Sequence, residues 1–176
     1  FLHLGDGDLE AATRATAAFE AAYAAIVEEQ GVAEVPGAGE TIARLKDAGL
    51  RVALTTGFAP ATRDALLAAV DWADLVDLAL SPIDAGRGRP APDLILTALL
   101  RLDISEVAAV AVAGDTASDV RSGRRAGAGL VAGVLSGAHG AVALADAGAD
   151  VVLDDITSLP EALAERQLVR LPARSS

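Results

Sequence analysis

The sequence predicts a parallel α/β fold, and two patterns together with the composition support that prediction. From residue 52 onward, short apolar segments alternate with segments of helical periodicity. The apolar segments lack the polar and apolar alternation of a half-exposed strand, which indicates strands covered on both faces. The chain of 176 residues is 52% hydrophobic and 3% aromatic, so one domain with an aliphatic core is expected.

These patterns predict the elements in order along the chain. Residues 9–29 place apolar side chains at three- and four-residue steps, which predicts a long amphipathic helix, and a second helix is predicted from Pro36 to about Gly49. Strands are then predicted at 52–55, 75–80, 107–113, 130–135 and 151–153, and the helices after them begin near residues 60, 91, 117, 138 and 159. Residues 170–176 are predicted to be a frayed tail.

The net charge and composition of the chain argue against some classes of binding partner. The formal net charge is −11, whereas a protein that binds nucleic acid or an anionic membrane surface would be expected to carry a basic stripe. No basic region precedes an apolar run at the start, and glycines interrupt the charge-free segment 126–145, so neither a leader nor a membrane span is expected. A small solute is the expected partner, and the cytoplasm is the default location. The absence of cysteine excludes disulfides and thiolate chemistry.

Polar residues are concentrated after three of the predicted strands. Residues 55–58 follow the first strand, residues 86–90 lie beyond the second, and residues 114–119 follow the third. Parallel sheets bind ligands at the carboxyl ends of their strands. Hydroxyls, an arginine and two carboxylates are therefore expected to converge at one rim.

Each of these groups has a functional and an ordinary interpretation. Asp115 and Asp119 lie one helical turn apart and suit Mg²⁺, although on spacing alone Asp115 could equally cap the helix. Thr56 and the Gly57 amide precede a helix whose N-terminus is an anion site, or they form an ordinary cap. Arg89 could clamp a phosphoryl group or lie on the surface of a flexible loop. Together they favour one ligand, a phosphoryl group facing Mg²⁺.

The runs 55–58 (Thr-Thr-Gly-Phe), 88–93 (Gly-Arg-Pro-Ala-Pro-Asp) and 114–119 (Gly-Asp-Thr-Ala-Ser-Asp) resemble motifs two, three and four of the haloacid-dehalogenase superfamily. Arginine in the third motif suggests the phosphonatase-like branch, since most relatives carry lysine there. The resemblance covers roughly residues 36–163. It implies a Rossmann-like core with a parallel sheet flanked by helices, a partial helical cap at the N-terminus, Mg²⁺ dependence, and hydrolysis of a small phosphate or phosphonate through a phosphoaspartyl intermediate.

The resemblance also assigns roles to residues. It implies that Thr56 binds the phosphoryl oxygens, that Arg89 pins the nucleophile and the phosphoryl group, that Asp115 ligates Mg²⁺, and that Asp119 supports the metal shell. The chain would divide into a cap remnant at 1–33, a core at 34–169 and a tail at 170–176. Cap helices with an exposed apolar face can pair between subunits, so a homodimer stays open.

The family's nucleophile is the first aspartate of an Asp-x-Asp/Ala-Gly-Thr motif at the end of a strand near the N-terminus, and no good copy is present. In the favoured interpretation, the sequence lacks that strand and part of the cap, which agrees with the absence of methionine. Such a fragment should be inert. In the other interpretation, Phe1–Leu4 is the strand, Asp6 is a degenerate nucleophile and Asp8 is the acid/base, although these aspartates are ordinary turn residues by default.

The sequence leaves the substrate class open and allows two other functional classes. Phosphonoacetaldehyde hydrolysis in this family needs a cap lysine that forms a Schiff base, and Lys46 lies on a core helix, so phosphonatase and phosphate monoesterase stay equally open. A non-catalytic protein that keeps the metal and anion site is the rival class. A Rossmann-like nucleotide-binding protein would be expected to carry Gly-x-Gly-x-x-Gly after the first strand, where this sequence has the single glycine Gly57. His139 is expected to be polar surface, and Trp72 and Tyr23 to be packing residues.

Overall fold

The computed structural model describes residues 8–166 and 168–169, and they form the predicted parallel α/β fold. The strands are β1 (Ala53–Thr55), β2 (Leu78–Leu80), β3 (Ala111–Gly114), β4 (Leu130–Val134) and β5 (Val151–Leu153). The α-helices are α1 (Leu9–Gln30), α2 (Ala38–Asp47), α3 (Pro60–Ala69), α4 (Pro82–Ala85), α5 (Asp93–Arg101), α6 (Ala117–Ala126), α7 (Ala141–Asp146) and α8 (Leu159–Glu165). Phe1–Leu4, Asp6 and the predicted tail at 170–176 lie outside the described residues.

The strands form two parallel sheets in place of one continuous sheet. β1 pairs with β2, with Ala53 opposite Leu78. The second sheet has the order β3-β4-β5, with Ala111 opposite Leu130. Within the described residues β1 and β3 are not paired with each other, so each has a free edge. Of the five strands described, β4 alone is buried along its whole length, whereas β3 begins with an exposed residue.

The core is aliphatic and lies on both faces of β4. On one face, Leu130 packs with Leu45 of α2 and Leu163 of α8. On the other face, Val131 packs with Val120 of α6 and with α7. Successive residues of a strand point to opposite faces, so β4 joins the two clusters. Burying each such side chain stabilises the fold by about 1.5–3 kcal/mol.

The first helix runs beside this core. Asp8 caps α1, because its carboxylate accepts hydrogen bonds from the N–H groups of Glu10 and Ala11. The helix ends at Gly31, whose φ of 72° is readily adopted only by glycine. It contacts α3 of the core. Among the described residues, none of the helices has the length and apolar character needed to span a membrane.

Candidate functional site

The turn after β1 carries Thr56 and Gly57. The Thr56 N–H donates to the Leu80 carbonyl at 3.0 Å, which ties the turn to the end of β2. The Thr56 hydroxyl oxygen accepts a hydrogen bond from the Phe58 N–H at 3.2 Å, and its own proton is thereby directed elsewhere. Helix α3 is capped at Ala59, so Thr56 is not its N-cap residue. The hydroxyl and the turn amides lie together at the carboxyl end of the strand.

Arg89 reaches this turn from the loop between β2 and α5. A Cβ placed on Gly57 would lie 3.6 Å from Nη2 of Arg89, so the guanidinium lies against the turn. Nη1 of the same group donates to Oδ1 of Asp119. The Arg89 side chain is only 28% exposed. The structure therefore places Arg89 between the turn after β1 and helix α6, and not on the open surface.

Asp119 is buried, with 6% exposure. Its Oδ2 accepts hydrogen bonds from the Thr116 N–H at 3.0 Å and the Thr116 hydroxyl at 2.6 Å. Thr116 is the N-cap of α6 and forms a reciprocal capping box with Asp119. Gly114 makes room for this carboxylate, since a Cβ there would lie 2.4 Å from Cβ of Asp119. Both carboxylate oxygens of Asp119 are therefore engaged, one by Thr116 and one by Arg89.

Asp115 lies between β3 and α6 and faces the loop after β4. Its Oδ2 accepts a hydrogen bond from the Ala138 N–H at 2.8 Å, and its carbonyl accepts one from the His139 N–H at 3.1 Å. The other carboxylate oxygen, Oδ1, accepts no hydrogen bond from the described residues. A Cβ on Gly137 would lie 2.1 Å from Oδ2. Asp115 is therefore held from one side with one oxygen available.

His139 is exposed, as expected, yet it also contributes to the site. Its Nδ1 accepts a hydrogen bond from the Ala117 N–H at 2.9 Å. The Nδ1 atom accepts only when it carries no proton, so the proton of the neutral ring is assigned to Nε2. His139 thus caps the first turn of α6 and helps to hold the loop after β4 beside Asp115.

The residues present fit Mg²⁺ in part. Within residues 8–166 and 168–169, His, Asp and Glu side chains form no group of three that could hold a metal ion. Mg²⁺ is commonly held by one or two carboxylates, by waters and by phosphate oxygens of a substrate. Asp115 offers one carboxylate oxygen of this kind, whereas direct ligation by Asp119 would break its contact with Arg89 or Thr116.

The loop that carries Arg89 is fastened on both sides. Arg87 forms a two-point ion pair with Asp93, at 2.7 Å from Nη2 to Oδ1 and 2.8 Å from Nε to Oδ2. This guanidinium lowers the pKa of the Asp93 carboxyl. On the other side, the Ser122 hydroxyl of α6 donates to the Ala91 carbonyl at 2.7 Å. These contacts limit the positions that Arg89 can take.

Aromatic side chains of α1 lie against the turn after β1, which the sequence analysis did not predict. The rings of Tyr23 and Phe58 are stacked with centroids 4.8 Å apart, and the ring of Phe19 lies 6.2 Å from that of Phe58. Tyr23 and Trp72 also line a cavity of about 320 Å³ that reaches Thr56. The sequence signals for this cluster are Phe58 directly after Gly57 and the four-residue spacing of Phe19 and Tyr23.

Comparisons with known proteins agree with this arrangement. Residues 2–127 match the model of a hydrolase family described as haloacid dehalogenase-like hydrolase. A ribulose-1,5-bisphosphate 5-phosphatase from Halopiger xanaduensis is 33% identical over 96 residues, which is 54% of this chain and 39% of that protein. The chain thus spans less than half the length of this curated relative.

Two solved structures extend the likeness. A HAD family hydrolase from Deinococcus radiodurans with bound phosphate and sodium is 30% identical with a TM-score of 0.70, and the match covers 78% of this chain and 62% of that chain. A phosphonoacetaldehyde hydrolase-like protein from Oleispira antarctica is 25% identical with a TM-score of 0.80, and the match covers 94% of this chain and 69% of that chain.

Proposed function

Because the chain belongs to the haloacid dehalogenase-like hydrolase family, we propose that its protein is a Mg²⁺-dependent hydrolase of a small phosphorylated or phosphonate substrate. The reaction would pass through a phosphoaspartyl intermediate. The observation that carries the proposal is the position of Arg89, which contacts both Asp119 and the Gly57 turn. The phosphate bound in the Deinococcus structure also supports an anionic ligand.

The roles proposed for the side chains follow from their contacts. Thr56 and the Gly57 amide would bind phosphoryl oxygens, and the N–H groups of Arg89 that do not contact Asp119 would neutralise them. Asp115 would hold Mg²⁺ through its available oxygen. Asp119 would support the metal shell indirectly, through its contact with Arg89. When bound, Mg²⁺ stabilises the charge that develops on the phosphoryl oxygens.

We place the nucleophilic aspartate on a further parallel strand between β1 and β3. The free edges of these strands support this proposal, because Arg89 contacts both the turn after β1 and Asp119 in the first turn of α6, the helix that follows β3. A carboxylate oxygen at the end of such a strand would attack phosphorus, and the leaving group would depart with the bonding electron pair. Water would then hydrolyse the acyl phosphate and restore the carboxylate.

The substrate class is proposed more narrowly from two residues. Arg89 and the likeness to a phosphonoacetaldehyde hydrolase-like protein favour the phosphonatase-like branch. However, Lys46 lies on α2, where its ammonium group forms an ion pair with Asp77 at 3.5 Å. A Schiff-base lysine would instead be expected beside the rim. Lys46 therefore gives no support to phosphonatase chemistry, and a phosphate monoester and a phosphonate both stay proposed substrates.

Domain division, location and assembly are proposals as well. Residues 1–33 would be part of a cap, residues 34–169 the core and residues 170–176 a tail, and the protein would be cytoplasmic. Phe19 and Ile26 of α1 are 44% and 48% exposed, so this helix could pair with a second copy in a homodimer.

The test is phosphate release from an aryl phosphate by the full-length protein, with and without Mg²⁺. We expect activity that requires Mg²⁺ and falls by at least about a hundredfold in Asp115→Asn, because a metal ligand is lost. Asp146→Asn, on the exposed side of α7, is the matched control and should keep full activity. Turnover that persists in Asp115→Asn or without metal would contradict the proposal.

The second candidate is a protein that binds phosphate without turnover. It is favoured by the sequence, which holds no good copy of the family's Asp-x-Asp/Ala-Gly-Thr motif. Calorimetry separates the two functions, since this candidate predicts phosphate binding by the full-length protein with no release of phosphate from any ester.

A further inference from the structure

The side chain of Arg63, near the start of α3, donates hydrogen bonds to four neighbouring residues. Its Nη1 donates to Oδ2 of Asp84 at 2.7 Å, to the Ala79 carbonyl at 3.2 Å and to the Ser81 hydroxyl at 3.4 Å. Its Nε donates to Oδ1 of Asp64 at 2.8 Å. The side chain is 16% exposed. Arg63 thus fastens α3 to the end of β2 and to α4.

Asp84 is the partner that connects Arg63 to the loop of Arg89. The same Oδ2 atom accepts a hydrogen bond from the Ser81 N–H at 2.8 Å and completes the capping box of α4. This bond, followed by the charge of Arg63, lowers the pKa of Asp84. The carboxylate is therefore ionised at neutral pH, and the contact with Arg63 is a charged one.

Helix α4 in turn supports the segment that bears Arg89. A Cβ on Gly88 would lie 3.4 Å from Cγ of Pro82, so the backbone just before Arg89 packs on the first residue of α4. Arg63 is also close to the rim along the chain, because its helix α3 directly follows the turn of Thr56 and Gly57. Arg63 therefore joins the two segments that carry the candidate anion-binding groups.

We propose that Arg63 is a positioning residue that fixes the distance between the Thr56–Gly57 turn and the Arg89 guanidinium. The inference rests on the proposed function, since it assumes that both groups bind one phosphoryl group. The role is assigned to position because Asp64 and Asp84 already pair with the Arg63 guanidinium. Its effect comes from geometry, and small displacements of binding groups cost large factors in affinity and rate.

Variants of both partners test the proposal in the full-length protein. In Arg63→Gln and in Asp84→Asn, we expect the dissociation constant for inorganic phosphate, measured by calorimetry, to rise about tenfold. The double variant should bind phosphate no more weakly than the worse single variant, because both changes break the same contact. Arg63→Lys should be intermediate, since an ammonium cannot reach all of the acceptors.

Arg44→Gln is the matched control. Arg44 joins α2 to α8 through Glu161 at 2.8 Å, with 28% exposure, and neither residue is one of the candidate site residues. We expect this variant to change the melting temperature and leave phosphate affinity at the wild-type value. The proposal is overturned if Arg63→Gln lowers the melting temperature as Arg44→Gln does and binds phosphate like the wild type.

Turnover measured on the same samples separates this inference from the proposed function. If the wild type binds phosphate but hydrolyses no ester, the proposed hydrolase activity fails, and the binding data still decide the role of Arg63. If the wild type hydrolyses esters and Arg63→Gln matches it in kcat, KM and phosphate affinity, only the positioning role fails. If the wild type neither binds phosphate nor turns over, both are overturned.

Discussion

Gly137, in the loop after β4, determines how closely that loop approaches the Asp115 carboxylate. The loop after β4 passes so close that its amide at Ala138 donates to Oδ2, and Gly137 leaves no space for a Cβ beside the same oxygen. Glycine is therefore required there by close approach. The hydrogen bond that holds Oδ2 of Asp115, and so leaves Oδ1 available, depends on this close approach.

Substituting Gly137 tests this geometry directly. In Gly137→Ala, the new methyl group would lie 2.1 Å from Oδ2 of Asp115, so either the loop or the carboxylate must move. We expect kcat/KM for an aryl phosphate to fall by roughly tenfold or more, and the Mg²⁺ concentration needed for half activity to rise. Gly140→Ala is the control, because nothing lies within 4 Å of a Cβ there. Equal kinetics in the two variants would contradict a role for the close approach.

At this scale the sequence predicted which residues meet, but not how they meet. Because ligands bind at the carboxyl ends of parallel strands, the sequence predicted one rim, and the structure brings Arg89 to the Gly57 turn and to Asp119. The approach of Asp115 to these groups stays a prediction. The sequence did not reveal that Thr116 caps α6 in place of Asp115, or that Asp119 is turned toward Arg89. Those contacts depend on side-chain directions that local patterns do not encode.

Among the elements, strand positions were predicted better than strand boundaries. The strand predicted at 75–80 begins at Leu78, because the Leu75 N–H closes a turn onto the Trp72 carbonyl. The strand predicted at 107–113 is β3 at 111–114, preceded by a 3₁₀ turn at 107–109. Apolar side chains in a turn and in a strand give the same pattern, so periodicity alone could not separate them.

Asp77 shows how one carboxylate fixes the start of such a strand pair. Its Oδ2 accepts a hydrogen bond from the Val52 N–H at 2.8 Å, and this bond, ahead of the ion pair with Lys46, lowers its pKa. A carboxyl whose folded pKa lies below its unfolded value of about 3.9 stabilises the fold above that value. The contribution is lost as the pH falls through the folded pKa.

Asp77→Asn should therefore destabilise the protein in a pH-dependent way. We expect the difference in unfolding free energy between wild type and variant to be largest near pH 7 and to shrink as the pH falls below about 4. Urea unfolding at both pH values measures it. Asp74→Asn, an exposed carboxylate in the same turn, is the control. A difference for Asp77→Asn that grows on acidification would contradict the assignment.

In the whole molecule, the sheet is divided at the place where the candidate site lies. The sequence predicted the strands and their parallel direction, and both are confirmed. It could not predict the pairing, because strand order depends on contacts between residues that are distant along the chain. β4, with neighbours on both sides, is fully buried, whereas β1 and β3 each pair with one strand among residues 8–166 and are only partly buried.

Hydrogen exchange in the full-length protein tests whether a further strand lies between β1 and β3. In a parallel strand, the N–H groups of successive residues point alternately to the two sides. Thr56 donates toward β2, and the Val110 carbonyl faces β4. The N–H groups of Thr55 and Ala113 therefore point toward the free edges. If a strand fills the gap, these two amides should exchange as slowly as that of Gly133 in β4, since each would have a hydrogen-bond partner and be shielded from water. Rapid exchange at both positions, with Gly133 protected, would mean that the two sheets stay separate and that the nucleophile must come from elsewhere.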